Sequence, residues 1–180
     1  MGSPFWNFSI AIYGANAVQD ECLDLQDQFG LDVNLILLCA FLGAGHGVAL
    51  TSGDALTSGD IASARQEVDQ WNEDIVKPLR AARRHLKTIE LRDADAVKAA
   101  AQLRAQVKAA ELESERIEQM MLEQWANARL AAWPRGKLRD AVVANLQALL
   151  AAYGVGPERL VAAQAMQHLI AAALDRVVNK

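Results

Sequence analysis

From Asp93 to about Ala132 the sequence contains no glycine or proline. This stretch consists mainly of Ala, Leu, Glu, Gln, Lys, Arg and Met, the residues with the strongest helix propensity. A single helix of about 40 residues would be about 60 Å long, which exceeds the diameter of a compact domain of this size. Its apolar side chains recur in alternating steps of four and three from Ala96 to Ala128, as in a coiled-coil seam. The sequence therefore predicts one long helix, about 93–132, that pairs with another helix.

Shorter helices are predicted along the rest of the chain, because apolar residues recur at helical spacing and glycine or proline separates the segments. One of them, Val33–Leu42, is apolar nearly all round except at Asn34, which is typical of a buried central helix. No segment shows the alternation of a β-strand. The predicted fold is an all-α bundle of about seven or eight helices, the shorter ones being Phe5–Tyr13, Ala17–Phe29, Val33–Leu42, Asp60–Val76, Leu79–Glu90, Gly136–Tyr153 and Pro157–Val178.

A direct repeat follows the central helix. Residues 50–55 read Leu-Thr-Ser-Gly-Asp-Ala, and residues 56–61 read Leu-Thr-Ser-Gly-Asp-Ile. Such a tandem copy indicates a lengthened surface loop, where insertions cost little stability. Thr57 or Ser58 is the predicted N-cap of the next helix.

The start of the chain has neither the basic residues nor the cleavable apolar stretch of a secretory signal. The longest apolar run, Leu35–Gly45, falls short of the roughly 18–20 residues that cross a bilayer. Cys22 and Cys39 are too few for a disulfide framework and are expected to be buried, reduced thiols. We therefore expect a cytoplasmic protein without a membrane segment.

Charge is distributed unevenly along the chain. Residues 1–64 contain seven acidic residues and no Lys or Arg. We expect a single domain over 1–180, with an acidic N-terminal helical module (about 4–45), a loop (46–58) and a helical remainder (59–178). The net charge of −4 gives no general argument for nucleic-acid binding.

Basic residues concentrate in 77–109, where nine Lys and Arg accompany three acidic residues. Five of them form one helical patch without interleaved aromatic residues, and no nucleic-acid role is expected. The patch could pair with the acids Asp24, Asp27 and Asp32, or it could hold a phosphate, a carboxylate or an acidic partner. Ion pairing predicts that Arg83 or Arg84 contacts an acid within 20–32. The patch consists of Lys77, Arg80, Arg83, Arg84 and Lys87.

Asn34 is expected to be buried, with its amide satisfied by backbone or by a side chain of the N-terminal module, because an unsatisfied buried amide costs about 1–3 kcal/mol. Asp27 and Asp32 are further structural polar candidates, and Asp32 is a candidate cap for the central helix.

Catalytic signatures are not found. Asp69 and Glu73 share a helical face, as paired magnesium ligands do, but Lys77 lies four residues after Glu73 and an ordinary ion pair accounts for the spacing. The glycine-rich Gly43–Gly47 follows a helix instead of a strand and is interpreted as a flexible turn instead of a phosphate cradle. The three histidines lack ligand spacing. We predict no catalytic residue, metal or cofactor, and a non-enzymatic role is favoured.

The N-terminal third resembles a known family. The similarity lies in Phe5-Trp6, Tyr13, the Cys-Leu-x-Leu-Gln-Asp run from Cys22, and the Gly-Leu-Asp-Val-Asn run from Gly30. These segments resemble an uncharacterised proteobacterial family of small all-helical proteins known as a domain of unknown function. The resemblance extends over about the first 90 residues, and the duplicated Leu-Thr-Ser-Gly-Asp departs from it. It implies a cytoplasmic bacterial protein and no particular activity.

Two functions remain open from the sequence. The first is a non-enzymatic helical adaptor or protein-interaction protein, which binds another protein or itself. A homodimer through 93–132 would pair antiparallel, because the basic 92–108 and the acidic 111–123 would then lie opposite each other.

The second function is binding, or turnover, of a small anion held by Arg80, Arg83 and Arg84 in a cleft against the turn at Asp27–Asn34. A cavity lined by these arginines favours the anion function. Full pairing of the arginines with acids of the N-terminal module favours the adaptor.

Overall fold

The computed structural model of the chain describes residues 2–51, 59–156 and 166–178. Regular structure in these ranges is helical, apart from one isolated β-bridge between Val48 and Arg135. The predicted all-α bundle is confirmed. Its helices are α1 (Pro4–Tyr13), α2 (Val18–Phe29), α3 (Val33–His46), α4 (Asp60–Trp71), a π-helical turn (Asn72–Val76), α5 (Lys77–Thr88), α6 (Ala94–Asn127), α7 (Leu138–Ala152) and α8 (Gln167–Val178).

Three of the predicted signals at helix ends act as expected. Gly14 follows α1, and Gly30 ends α2 in the left-handed conformation, with φ 69°. Asp32 caps α3, because its Oδ1 accepts the Asn34 amide at 2.7 Å. The caps predicted at Thr57 and Ser58, and the start of the last helix in 157–165, lie outside the described residues.

The central helix is α3, as predicted. It packs against α1, α2, α6, α7 and α8. Leu35, Ile36, Leu38 and Leu42 are fully buried in it. The helix is longer than predicted, because it continues through the glycines that suggested a flexible turn and ends at His46.

Gly43 allows α3 and α7 to approach closely. A Cβ atom at this position would lie 2.6 Å from the backbone N and Cα atoms of Val142. We expect Gly43→Ala to lower the free energy of unfolding by about 1–3 kcal/mol, because α7 must move away. In urea unfolding, Gly45→Ala is the matched control: its Cβ would meet only the Phe41 ring at 3.8 Å, and it should gain about 0.5–1 kcal/mol of helix propensity. Equal losses in both variants would contradict the close-packing role.

The helical path continues through Pro78 instead of restarting after it. Pro78 is the second residue of α5, and the π-helical turn lies immediately before it. At the end of this wider turn the Lys77 amide donates to the Asn72 carbonyl. Because proline lacks an amide hydrogen and crowds the preceding turn, a local widening lets the helix continue where the sequence predicted two separate helices, Asp60–Val76 and Leu79–Glu90.

The long helix pairs within the chain. α6 runs antiparallel to α4 and α5, with Arg83 beside Glu111 and the Trp125 indole donating to Ser63 Oγ at 3.1 Å. The predicted seam is buried at Ser114 and Trp125, but Leu103 is 49% exposed. The seam prediction is therefore correct at Ser114 and Trp125 and wrong where the seam is exposed, at Leu103, Ala110 and Ala128; its other members are half-buried. α6 also ends at Asn127, before the predicted Ala132.

Buried glutamates cap two helices from a distance. Glu123 Oε1 accepts the Phe5 amide at the start of α1 at 3.0 Å. Glu21 accepts the amides of His168 and Leu169 at the start of α8, at 3.1 and 2.8 Å. These carboxylates satisfy amides that no intrahelical bond can satisfy and complement the helix dipole. None of the helices in the described ranges has the length and apolarity that crossing a membrane requires.

Candidate functional site

A cleft of about 700 Å³ separates the first three helices from the α5–α6 hairpin. This volume lies within the range of small-molecule sites, about 300–1,000 Å³. Each wall is one face of a helix. The lining residues are Trp6, Ser9, Ile10 and Tyr13 of α1; Gln19, Leu23 and Gln26 of α2; Asp32, Val33, Asn34 and Leu37 at the start of α3; Arg80, Arg83, Arg84, Lys87 and Thr88 of α5; and Arg104, Lys108, Glu111, Leu112, Glu115 and Gln119 of α6.

The apolar wall of the cleft comes from a second stripe on α1. Its first stripe, which includes Phe5 and Ile12, is buried in the core. Its second stripe, Trp6, Ile10 and Tyr13, faces the cleft, and Ile10 is 56% exposed. A short helix needs only one apolar stripe to pack on a core. The second stripe, which is visible in the sequence, therefore indicates that α1 makes another apolar contact.

Arg80 and Arg83 are paired, but with carboxylates of α6. Arg80 Nη2 lies 2.8 Å from Glu115 Oε1, and Arg83 Nη2 donates to Glu111 Oε1 at 3.2 Å. Burial alone would raise the pKa of Glu111, but Arg83 and Arg80 outweigh it and the pKa is lowered. The expected contact of Arg83 or Arg84 with an acid of 20–32 is therefore wrong, because the antiparallel packing of α5 on α6 supplies nearer carboxylates.

Four cations of the cleft have no carboxylate within salt-bridge distance among the described residues. They are Arg84, Lys87, Arg104 and Lys108, and we call them the free cations. The lining as a whole contains six basic residues and three acidic ones. The cleft is therefore positively charged and attracts anions.

Two predicted site residues lie elsewhere. Lys77 pairs with Glu73 one helical turn away and does not line the cleft. Asp27 is exposed on α2 and also lies outside the lining. Asp69, the other half of the proposed magnesium pair, bonds Arg65 at 3.3 Å. Within the described ranges, no group of three or more His, Cys, Asp and Glu is arranged to hold a metal ion.

Three buried side-chain atoms lack a hydrogen-bond partner in the described part of the chain, and all three belong to residues that line the cleft. They are Ser9 Oγ, Gln119 Oε1 and Arg104 Nε. Leaving a buried donor or acceptor unpaired costs about 1–3 kcal/mol, so such atoms are rare in folded proteins. The unpaired atoms are therefore concentrated in residues that line this one cleft.

Asn34 is buried at the base of the cleft, as expected. Its exposed fraction is 7%, and its Oδ1 accepts Gln119 Nε2 at 2.8 Å. The partner belongs to α6, whereas we expected backbone or a side chain of the N-terminal module. Only the packing of α6 against α3 brings the two amides together.

A carboxyl pair lies beside this contact. Asn72 Nδ2 donates to Asp32 Oδ2 at 2.8 Å and approaches both oxygens of Glu118 at 3.3 and 3.4 Å. Glu118 is completely buried. Burial, and then the neighbouring Asp32, raise the pKa of Glu118 to about 9, so its carboxyl holds a proton at neutral pH.

The two thiols are inert at neutral pH, since burial raises the pKa of Cys22 to about 12 and also raises that of Cys39.

Comparison with known proteins identifies one family. The family described as "Protein of unknown function (DUF2390)" matches residues 4–122. The matched range contains every residue that lines the cleft, from Trp6 to Gln119. No curated protein and no solved structure matches the chain.

Proposed function

The chain belongs to this family of unknown function, and we propose that it binds a small anionic molecule in the cleft. The observation that carries the proposal is the set of free cations, Arg84, Lys87, Arg104 and Lys108, placed opposite the apolar stripe of α1. Cations that line the same cleft repel one another, and an anion bound between them reduces that repulsion. Guanidinium groups also bind carboxylate and phosphate with two parallel hydrogen bonds.

The arrangement of the arginines favours anion binding over the adaptor function. Arg80, Arg83 and Arg84 all line a cavity of ligand size. The ion pairs of Arg80 and Arg83 go to Glu111 and Glu115, and none of the three arginines pairs with the acids of the N-terminal module. Arg80 and Arg83 are held in place and neutralised by these carboxylates, so the free cations supply the unpaired positive charge of the cleft.

Charge reversal at the cleft tests this proposal. We expect Lys108→Glu to weaken binding of 8-anilinonaphthalene-1-sulfonate, an aromatic anion, about 10-fold or more at low ionic strength, because it removes an attraction and adds a repulsion. Fluorescence titration measures the affinity. Lys98→Glu is the matched control, because Lys98 is exposed on the same helix and does not line the cleft. Equal affinities for the two variants would refute the anion site.

Ligand class can then be surveyed by thermal shift. A panel of phosphorylated metabolites and organic acids is added at high concentration to the wild-type chain. A compound present at about 100 times its dissociation constant stabilises the folded state by about 2.7 kcal/mol, or several degrees for a chain of this length. A shift that disappears in Lys108→Glu and persists in Lys98→Glu identifies a cleft ligand.

A second candidate function is protein interaction through the first half of α6. Val97 and Leu103 are each 49% exposed there, so the adaptor and the homodimer through 93–132 remain proposals. The charge argument for the dimer is weaker than expected, since Glu111 and Glu123 bond groups of their own chain. Light scattering at micromolar concentration tests it, and the mass of one chain would exclude a stable dimer. Both candidates suit a cytoplasmic protein.

A further inference from the structure

We propose that the ligand of the cleft carries a hydroxyl group, or an equivalent N–H donor, on its apolar half, and that this group bonds Ser9 Oγ and Gln119 Oε1. The ligand class is therefore a hydroxy-substituted apolar acid, with its acid group at the free cations. This inference rests on the proposed function and adds to it the chemistry of the opposite end of the ligand.

Gln119 presents an acceptor that the protein leaves unused. Its Nε2 donates to Asn34 Oδ1 at 2.8 Å, and this bond sets the orientation of the amide, because the reverse orientation would place two oxygens together. Oε1 then has no partner, although Gln119 is only 3% exposed. A buried acceptor of this kind requires an O–H or N–H group from the ligand.

Ser9 lies in the middle of the apolar stripe of α1. It is 2% exposed, and Trp6, Ile10 and Tyr13 of the same wall surround it in sequence. A serine inside a helix ordinarily bonds the carbonyl one turn earlier, but the Ser9 hydroxyl has no partner. An unpaired hydroxyl between apolar side chains supplies a polar contact for a mainly apolar ligand.

Arg104 supplies the third unpaired atom, and it belongs to the free cations. Its Nε hydrogen is buried without an acceptor. The three unpaired atoms therefore need different partners from the ligand. Arg104 Nε needs a hydrogen-bond acceptor, Gln119 Oε1 needs a donor, and Ser9 Oγ can pair with either. A molecule with an acid group and a separate hydroxyl can pair with all three atoms. Inorganic phosphate or a plain fatty acid can pair with some of them and leaves the others without a partner.

Matched acids test the inference by isothermal titration calorimetry. Straight-chain carboxylic acids of six to twelve carbons are compared with their ω-hydroxy counterparts on the wild-type chain. At one or more lengths, the hydroxy acid should bind about 10-fold more tightly, because a site built for a hydroxyl leaves its polar groups unpaired when the hydroxyl is missing. In Ser9→Ala and Gln119→Met this preference should fall below about 3-fold, because each variant removes a group that pairs with the ligand hydroxyl.

Ser114→Ala is the control for these variants. Ser114 is a buried serine of α6, its hydroxyl donates to the Glu111 carbonyl at 2.7 Å, and it does not line the cleft. The hydroxy-acid preference should persist in it. A preference that persists equally in Ser9→Ala and Gln119→Met would overturn the inference.

The other results separate the inference from the proposed function. If plain and hydroxy acids bind equally at every length, and Lys108→Glu weakens both, the inference is wrong and the anion site stands. If no acid binds and Lys108→Glu leaves 8-anilinonaphthalene-1-sulfonate binding unchanged, both are wrong.

Thermal unfolding without ligand gives an independent prediction. Ser9→Ala should raise the melting temperature by a few degrees, because it removes a buried hydroxyl that has no partner. Ser114→Ala should lower it, because it removes a hydroxyl that is bonded. A lower melting temperature for Ser9→Ala would show that the hydroxyl serves the fold, and would overturn its assignment to the ligand.

Discussion

Replacing Asn145 with leucine is expected to lower the free energy of unfolding by about 3–5 kcal/mol. This is the largest loss of stability that we expect from any single substitution in this chain. Asn145 is completely buried in α7. Its Nδ2 donates to the carbonyls of Cys39 and Val48 at 3.0 and 2.8 Å, and its Oδ1 accepts the Leu50 amide at 2.6 Å. Leucine has a similar size but removes the partner of the Leu50 amide and of the Val48 carbonyl, whereas the Cys39 carbonyl keeps its bond within α3.

Urea unfolding measures this loss, with Gln147→Leu as the control. Gln147 lies on the same helix and is exposed, so its replacement should change stability by no more than about 0.5 kcal/mol. A loss below about 1 kcal/mol for Asn145→Leu would mean that the chain after α3 is held by other contacts. Because α3 forms the base of the cleft, α7 supports the site from outside the range that the family matches.

Glu118→Gln is expected to change the pH dependence of stability. The folded chain holds a proton on Glu118 up to a pKa of about 9, whereas the unfolded chain releases it near the ordinary value of 4.5. Between these values the folded state binds more protons, so this group makes the wild type less stable as pH rises. Glutamine does not titrate. The free energy of unfolding of the variant should therefore rise relative to that of the wild type from pH 5 upward, by on the order of 3 kcal/mol at pH 8.5.

Urea unfolding at pH 5, 7 and 8.5 checks this expectation. Glu113→Gln is the matched control, because Glu113 is exposed on α6 and Arg116 lowers its pKa through a hydrogen bond. The control should differ from the wild type by the same amount at all three pH values. If Glu118→Gln shows the same constant difference, Glu118 is ionised in the folded chain and the carboxyl pair does not share a proton.

The end of α2, the start of α3 and the burial of α3 could be predicted, because they depend on neighbours in sequence. Gly30 ends α2 since only glycine adopts a positive φ without a steric penalty, and Asp32 caps α3 by reaching an amide two residues away. The central position of α3 followed from an apolar surface on every side. Asn34 had to be buried for the same reason.

The partners of the charged groups could not be predicted, because charge alone does not select among carboxylates. The sequence offers Asp24, Asp27 and Asp32 as well as Glu111 and Glu115 to the same arginines, and only the antiparallel packing of α5 on α6 brings Glu111 and Glu115 within bonding distance. The predicted seam of α6 is exposed at Leu103 for a related reason. Apolar spacing shows which face is able to pair, but α5 ends at Thr88 and leaves the first turns of α6 exposed.

The sequence by itself determined an all-α chain, its central helix and a clustered set of basic residues, because helix propensity and hydrophobic periodicity act over a few residues. Only the tertiary structure decided that a cleft exists and which atoms remain unpaired in it. Ser9, Gln119 and Arg104 have no local pattern in common. They line one cavity because five helices pack at distances that leave space between them, and such space is a property of the packing of the whole chain.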